Sequence, residues 1–129
     1  MTQWTASDGT EISFNVYNRN DQAETLVLLP GLLGTCTSQW QRFVRPLSAD
    51  FQVVTMDLRG HGRSQNNASI LTMDQLLQDV VGLLDFLQMD TYHIAGYDLG
   101  GYLGLLMALS QSRRVNTLLM LATKFYWTG

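Results

Sequence analysis

The 129 residues are 46% hydrophobic and 15% charged, which is material for one globular domain with a core and no more. Eight Lys and Arg against eleven Asp and Glu give a net charge of −3, so the chain has no basic footprint for nucleic acid or for an anionic membrane surface. A single cysteine, Cys36, and two histidines, His61 and His93, exclude an internal disulfide framework and an all-cysteine metal site, and no metal or other cofactor is expected.

Asp8-Gly9 is a turn signal ahead of an alternating run, Glu11–Tyr17 (Ile12, Phe14 and Val16 against Ser13 and Asn15). The pattern predicts a half-exposed strand with residues 3–6 as its hairpin partner. Residues 25–29 are continuously apolar from Leu26 to Leu29 and stop at Pro30-Gly31. Such a run predicts a strand buried on both faces, as in a parallel sheet. Residues 39–47 carry Trp40, Phe43, Val44 and Leu47 at helical spacing. Phe51–Met56 repeats the buried-strand pattern and runs into Asp57-Leu58-Arg59-Gly60. Residues 72–87 are the clearest helix, with one broad stripe from Leu76 to Leu87 and Thr72 and Gln75 as a capping-box pair. Residues 92–95 form a third buried strand ending at Gly96, and residues 115–122 a fourth. Between them, residues 100–109 read as a helix whose Gly100, Gly104 and Ala108 leave one face nearly bare, fit to lie close to a sheet. Strand alternating with helix implies right-handed crossovers and a mainly parallel sheet, in which ligands sit beyond the carboxyl ends of the strands.

Three Gly-rich loops follow strands: Pro30-Gly31-Leu32-Leu33-Gly34, Asp57-Leu58-Arg59-Gly60-His61-Gly62-Arg63-Ser64, and Gly96-Tyr97-Asp98-Leu99-Gly100-Gly101. In the last, glycines two before and two after Asp98 allow a tight strand-to-helix turn that strains the central residue and exposes its side chain. The unpaired N–H groups and positive dipole end of the following helix favour a carboxylate there as an anion. These three motifs, in this order and spacing, resemble the N-terminal portion of an α/β-hydrolase over about residues 11–122. The resemblance implies an α/β fold, a mainly parallel sheet of about six strands with flanking helices, in a single domain spanning 1–129. It places Asp98 at the nucleophile position, where most members have serine, and assigns the backbone N–H groups of Leu32 and Leu99 to the oxyanion hole. Donors fixed in such a site are worth roughly 3–4 kcal/mol each in the transition state. It also implies a small-molecule substrate.

Aspartate at the elbow leaves the chemistry open. In function class the chain resembles hydrolases of small organic esters. Haloalkane dehalogenases and epoxide hydrolases also carry aspartate at this position, but usually within an Asp-Trp pair and a His-Gly-x-Pro loop, whereas this sequence has Asp98-Leu99 and Pro30-Gly31-Leu32-Leu33. A third reading is a non-catalytic ligand-binding protein in which Asp98 only satisfies helix N–H groups. In the family the acid, the general base, a lid and the last strands would follow residue 122. The 129 residues are therefore expected to be an incomplete domain without multiple turnover, with uncovered apolar surface that favours self-association. His93 falls at the start of its strand, the wrong end for the site. His61 is read as a loop brace, Asp57 and Arg59 as a structural ion pair or brace, and Cys36 as a buried or half-buried thiol. Asp79, Asp85 and Asp90 are read as a solvated helix face and end, and Trp40 and the methionines as core or pocket wall. No run of 18 apolar residues and no secretory signal are visible, so a cytoplasmic location without membrane contact is expected.

Overall fold

The computed structural model of the chain describes residues 2–32, 34–68 and 70–123. β1 (Thr2–Thr5) and β2 (Glu11–Tyr17) form the hairpin, Thr2 opposite Phe14 and Thr5 opposite Glu11. Its turn is built by Gly9 at φ +86° and by the Thr10 N–H donating to Asp8 Oδ1 at 3.0 Å. The chain then runs β3 (Glu24–Leu29), α1 (Cys36–Gln39), α2 (Gln41–Leu47), β4 (Phe51–Met56), α3 (Met73–Phe86), β5 (Tyr92–Tyr97), α4 (Leu99–Ser110) and β6 (Val115–Leu121). The six strands lie in the order β1-β2-β4-β3-β5-β6. β4, β3, β5 and β6 are mutually parallel, and the hairpin adds antiparallel through β2 to β4.

From β3 the chain moves outward to β4, and from β5 it moves outward in the opposite direction to β6. The connections thus diverge at the carboxyl ends of β3 and β5, the place where ligands bind in open α/β sheets in general. Alternation along the strands sorts the core onto two faces. Val27, Leu29, Val54, Met56, Tyr92 and Ile94 pack with α3 and α4, while Leu26, Leu28, Val53 and Ala95 pack with Trp40 and Val44.

Three local expectations change in the folded chain. β2 is not half-exposed: Ser13 is fully buried, because its N–H donates to Ser64 Oγ (2.8 Å) and its hydroxyl to the Arg63 carbonyl (3.0 Å). The helix expected over 39–47 is two short helices meeting at Trp40, with Phe43 47% exposed and edge-on to the Trp40 ring. β6 is not buried on both faces. Among the described residues it pairs with β5 alone and stands last in the sheet, and Leu119 and Leu121 are exposed.

The capping pair at α3 forms by half. Thr72 Oγ1 accepts the Gln75 N–H (3.1 Å), but the Gln75 side chain turns forward to Asp79 Oδ1 (3.1 Å). Asp79 does not lie on a solvated face. It is buried and holds Arg59, itself fully buried, through Nε to Oδ2 (2.8 Å) and Nη2 to Oδ1 (3.0 Å). Asp8 takes the other side of the same guanidinium, and Asn66 Oδ1 accepts from Nη1 at 3.2 Å. Arg59 is thus paired with Asp8 and Asp79, while Asp57 Oδ2 accepts the Arg63 N–H at 3.2 Å. One guanidinium joins the hairpin turn, the loop after β4 and the middle of α3.

A buried charge left without any partner costs about 3–5 kcal/mol; Asp79→Ala leaves Arg59 with Asp8, so it is expected to lower unfolding free energy by an amount below that, about 2–3 kcal/mol, in urea titration. The Arg59 side chain first, then the Thr10 hydroxyl and N–H, hold the Asp8 carboxyl well below its ordinary value of 3.8. The unfolded chain therefore takes up the proton first as pH falls. Asp8 contributes stability in full above that ordinary value and loses it as pH falls toward the lowered one. The stability difference between the wild-type chain and Asp8→Asn is expected to stay level down to roughly pH 5 and to shrink below about pH 4. Thermal melts across that range check it.

Candidate active site

Asp98 ends the loop after β5 and opens α4 at φ 55°, ψ −117°, outside the favoured regions for an L-residue. Such a conformation costs on the order of 1–3 kcal/mol and persists only where neighbours over-determine it. They do so here. The Asp98 N–H donates to the Leu121 carbonyl at the end of β6 (2.8 Å), and the Asp98 carbonyl accepts from Gly101 N–H (3.0 Å), Tyr102 N–H (3.3 Å) and Thr123 Oγ1 (3.1 Å). The flanking glycines supply space. A β-carbon at Gly96 would collide with the Gly100 carbonyl, and one at Gly100 would lie 2.6 Å from the Pro30 oxygen and against Leu29. A β-carbon at Gly104 would strike Leu118, so the bare face of α4 does rest on the sheet.

The loop after β3 meets this turn. Gly31 is buried against it, its missing β-carbon 2.9 Å from Asp98 Cβ and 3.0 Å from Tyr97 Cδ1. One residue on, the Leu32 N–H donates to Asp98 Oδ2 at 3.3 Å. The carboxylate does not cap its own helix, and no bond from the Leu99 N–H to it forms. Capping its own helix therefore does not explain the side chain of Asp98: it faces the neighbouring loop. Leu32 and Tyr97, 45% and 40% exposed, form an apolar rim beside it.

The other candidate residues lie elsewhere. His61 is buried, with Nδ1 3.0 Å from the Arg59 carbonyl, so Nδ1 carries the proton and Nε2 is left without a partner among the described residues. It braces the loop rather than approaching Asp98. His93 pairs through Nε2 with Glu24 Oε1 (3.0 Å) at the opposite end of the sheet, beside a polar cleft of about 880 Å³ that also includes Arg19 and Arg114. The Cys36 side chain lies outside the described residues. Among the described residues no three His, Cys, Asp or Glu side chains gather as a metal site, and no helix is long and apolar enough to cross a membrane.

The sequence pattern of the α/β-hydrolase fold matches residues 24–128. The chain belongs to the α/β-hydrolase family. It is 31% identical over 109 residues to RutD of Agrobacterium fabrum, whose name proposes a carbamate hydrolase, covering 84% of this chain and 42% of that protein. A crystal structure of a hydrolase from Pseudomonas aeruginosa superposes with a TM-score of 0.89 at 30% identity, covering 99% of this chain and 47% of the other. The enol-lactonase of Burkholderia xenovorans gives a TM-score of 0.77 at 34% identity, covering 84% and 42%. The chain thus spans less than half the length of these relatives.

Within this α/β-hydrolase, sequence reasoning does not reach Thr123 or Gln39 as parts of the site and reads Trp40 only as core or pocket wall. Each acts through one long-range bond to backbone: Thr123 to Asp98, Gln39 to Gly31 (2.6 Å), and the Trp40 indole to Leu29 (2.9 Å). No local spacing announces such bonds.

The close approach of loop and elbow makes a direct forecast. Gly31→Ala must push the loop off Asp98, and Gly100→Ala must force its helix away from the Leu29–Pro30 backbone. Overpacking of this kind costs about 1–3 kcal/mol. Both variants are expected to melt lower than the wild type, and Gly31→Ala to lose the Leu32–Asp98 contact, read as loss of the shift that Asp98→Asn causes in the Leu32 amide resonance in NMR spectra.

Proposed function

We propose that this chain carries the nucleophile side of a hydrolase site for small organic substrates, with Asp98 as nucleophile and the backbone N–H groups of Leu32 and Leu99 as oxyanion donors. The observation that carries the reading is the carboxylate on a strained turn, 3.3 Å from the Leu32 nitrogen and beside an apolar rim. The names of the relatives, a lactonase and a RutD protein, support a substrate with an acyl group. In that route one Asp98 oxygen attacks the acyl carbon and the alkoxide leaves, taking a proton from water. The mixed anhydride on Asp98 is then split by a second water, which returns the carboxylate. The substrate's carbonyl oxygen must first displace Asp98 Oδ2 from the Leu32 N–H.

One feature of the site favours a second route. Because Leu32 already donates to Oδ2, the free oxygen of Asp98 is poised to attack a saturated carbon and expel halide, or open an epoxide. Water then adds to the carboxyl carbon of the resulting ester. The oxyanion forms on Oδ2, where the Leu32 donor already lies.

Neither histidine bonds to Asp98: His61 faces the Arg59 carbonyl and His93 faces Glu24. With neither of these imidazoles at Asp98, the water step that releases it is expected to be slow in either route, so the first product should appear in a burst of about one equivalent. Incubation with an activated ester, and separately with an alkyl halide or epoxide, is expected to leave a mass increment on the peptide containing Asp98. Asp98→Ala should show none. The class of electrophile that labels decides between the routes. Absence of any adduct, with ligand raising the melting temperature and recovered unchanged, would move the chain to the binding-only reading.

A further inference from the structure

Past Leu29 the chain leaves β3 and has no sheet partner to aim its backbone. Pro30 has no N–H to offer. Two consecutive residues of the neighbouring segment take over. The Trp40 indole donates to the Leu29 carbonyl at 2.9 Å, and Gln39 Oε1 accepts the Gly31 N–H at 2.6 Å, so the groups on either side of Pro30 are both held. The turn closes over this carboxamide through Gly34 N–H to the Gly31 carbonyl (3.1 Å), and a β-carbon at Gly34 would collide with the Gln39 side chain. Gln39 itself is fixed. Its N–H donates to the Thr35 carbonyl (3.1 Å), and Thr35 and Ser38 cap one another, Ser38 N–H to Thr35 Oγ1 (3.0 Å) and Thr35 N–H to Ser38 Oγ (3.1 Å). Leu32 is 45% exposed and its N–H makes one long bond, to Asp98 at 3.3 Å. Its direction is therefore inherited from the residue before it.

We infer that Gln39 is a positioning residue: its side-chain carbonyl holds the Gly31 N–H, and through it the turn that aims the Leu32 N–H at Asp98. The geometric part stands on these bonds alone, while its consequence for chemistry rests on the proposed role of Asp98. Gln39→Met keeps the length and removes the acceptor. Gln39→Glu keeps both.

In the wild-type chain the Leu32 amide resonance should respond to Asp98→Asn with a shift in NMR spectra. The response is expected to vanish when Asp98→Asn is made in Gln39→Met and to return when it is made in Gln39→Glu. Losing one oxyanion donor outright costs about 10²–10³ in rate, so a misaimed donor should slow labelling of Asp98 by the activated ester roughly tenfold in Gln39→Met, with Gln39→Glu within about threefold of wild type. A Leu32 response unchanged in Gln39→Met would overturn the inference. If the wild-type chain takes no label but the response is still lost in Gln39→Met, the positioning role holds and the nucleophile reading falls. If Gln39→Met does not fold, hydrogen exchange on the wild-type chain decides: a Gly31 amide exchanging as fast as an unbonded loop amide overturns the inference, and one slowed tenfold or more upholds it.

Discussion

The backbone of the loop after β3 lies directly against the first turn of α4, with Gly100 on the Leu29 and Pro30 carbonyls and Gly31 on Asp98. A side chain at either glycine would hold the two segments apart. Their contact brings an N–H from one strand's loop to a carboxylate on the next strand's turn. It arises because β3 and β5 are neighbours whose connections leave in opposite directions, so that the loops at their carboxyl ends meet. The strain at Asp98 is a consequence of the same constraint: the chain must reverse within a few residues and still pass under the loop. Bonds from Leu121, Gly101, Tyr102 and Thr123 keep it there.

A second framework stands behind the first. Arg59, wholly buried, ties the hairpin turn through Asp8 to α3 through Asp79. The loop that carries Arg59 is also stitched to β2 by Ser64, and it packs on Thr35, since a β-carbon at Gly62 would press on the Thr35 methyl. Thr35 in turn starts the short helix that ends in Gln39. The antiparallel hairpin, at the far edge of the sheet, is thereby connected to the residues that hold the loop after β3. Burying a charge is unfavourable unless nearly all its donors are met, and here the guanidinium is met by two carboxylates and an amide.

The fold is legible in the sequence because its signals are local. Leu26 to Leu29, Phe51–Met56 and the run from Tyr92 announce buried parallel strands by continuity, and the stripe from Leu76 to Leu87 announces α3 by period. Asp98 is legible too, because glycines at 96 and 100 have few other uses in that spacing. Asp79 escapes sequence reading for an equally physical reason. At helical spacing it looks like a solvated acid, and only the arrival of Arg59 from twenty residues earlier makes its burial tolerable. Ser13 escapes it likewise: alternation places it outward, and Ser64 and Arg63 cover it from outside the strand.

The order of residues by itself determined the strand–helix alternation and the identity of the carboxylate at the turn, since each follows from periodicity or from glycine spacing within a dozen residues. Tertiary structure alone decided which N–H faces that carboxylate. Leu32 reaches Asp98 while the Leu99 N–H makes no bond to it, and that choice depends on a glutamine acceptor, a tryptophan indole and two close glycine contacts. Hydrogen bonds between segments sixty residues apart leave no period in the sequence, because their geometry is set by the packing of the whole sheet.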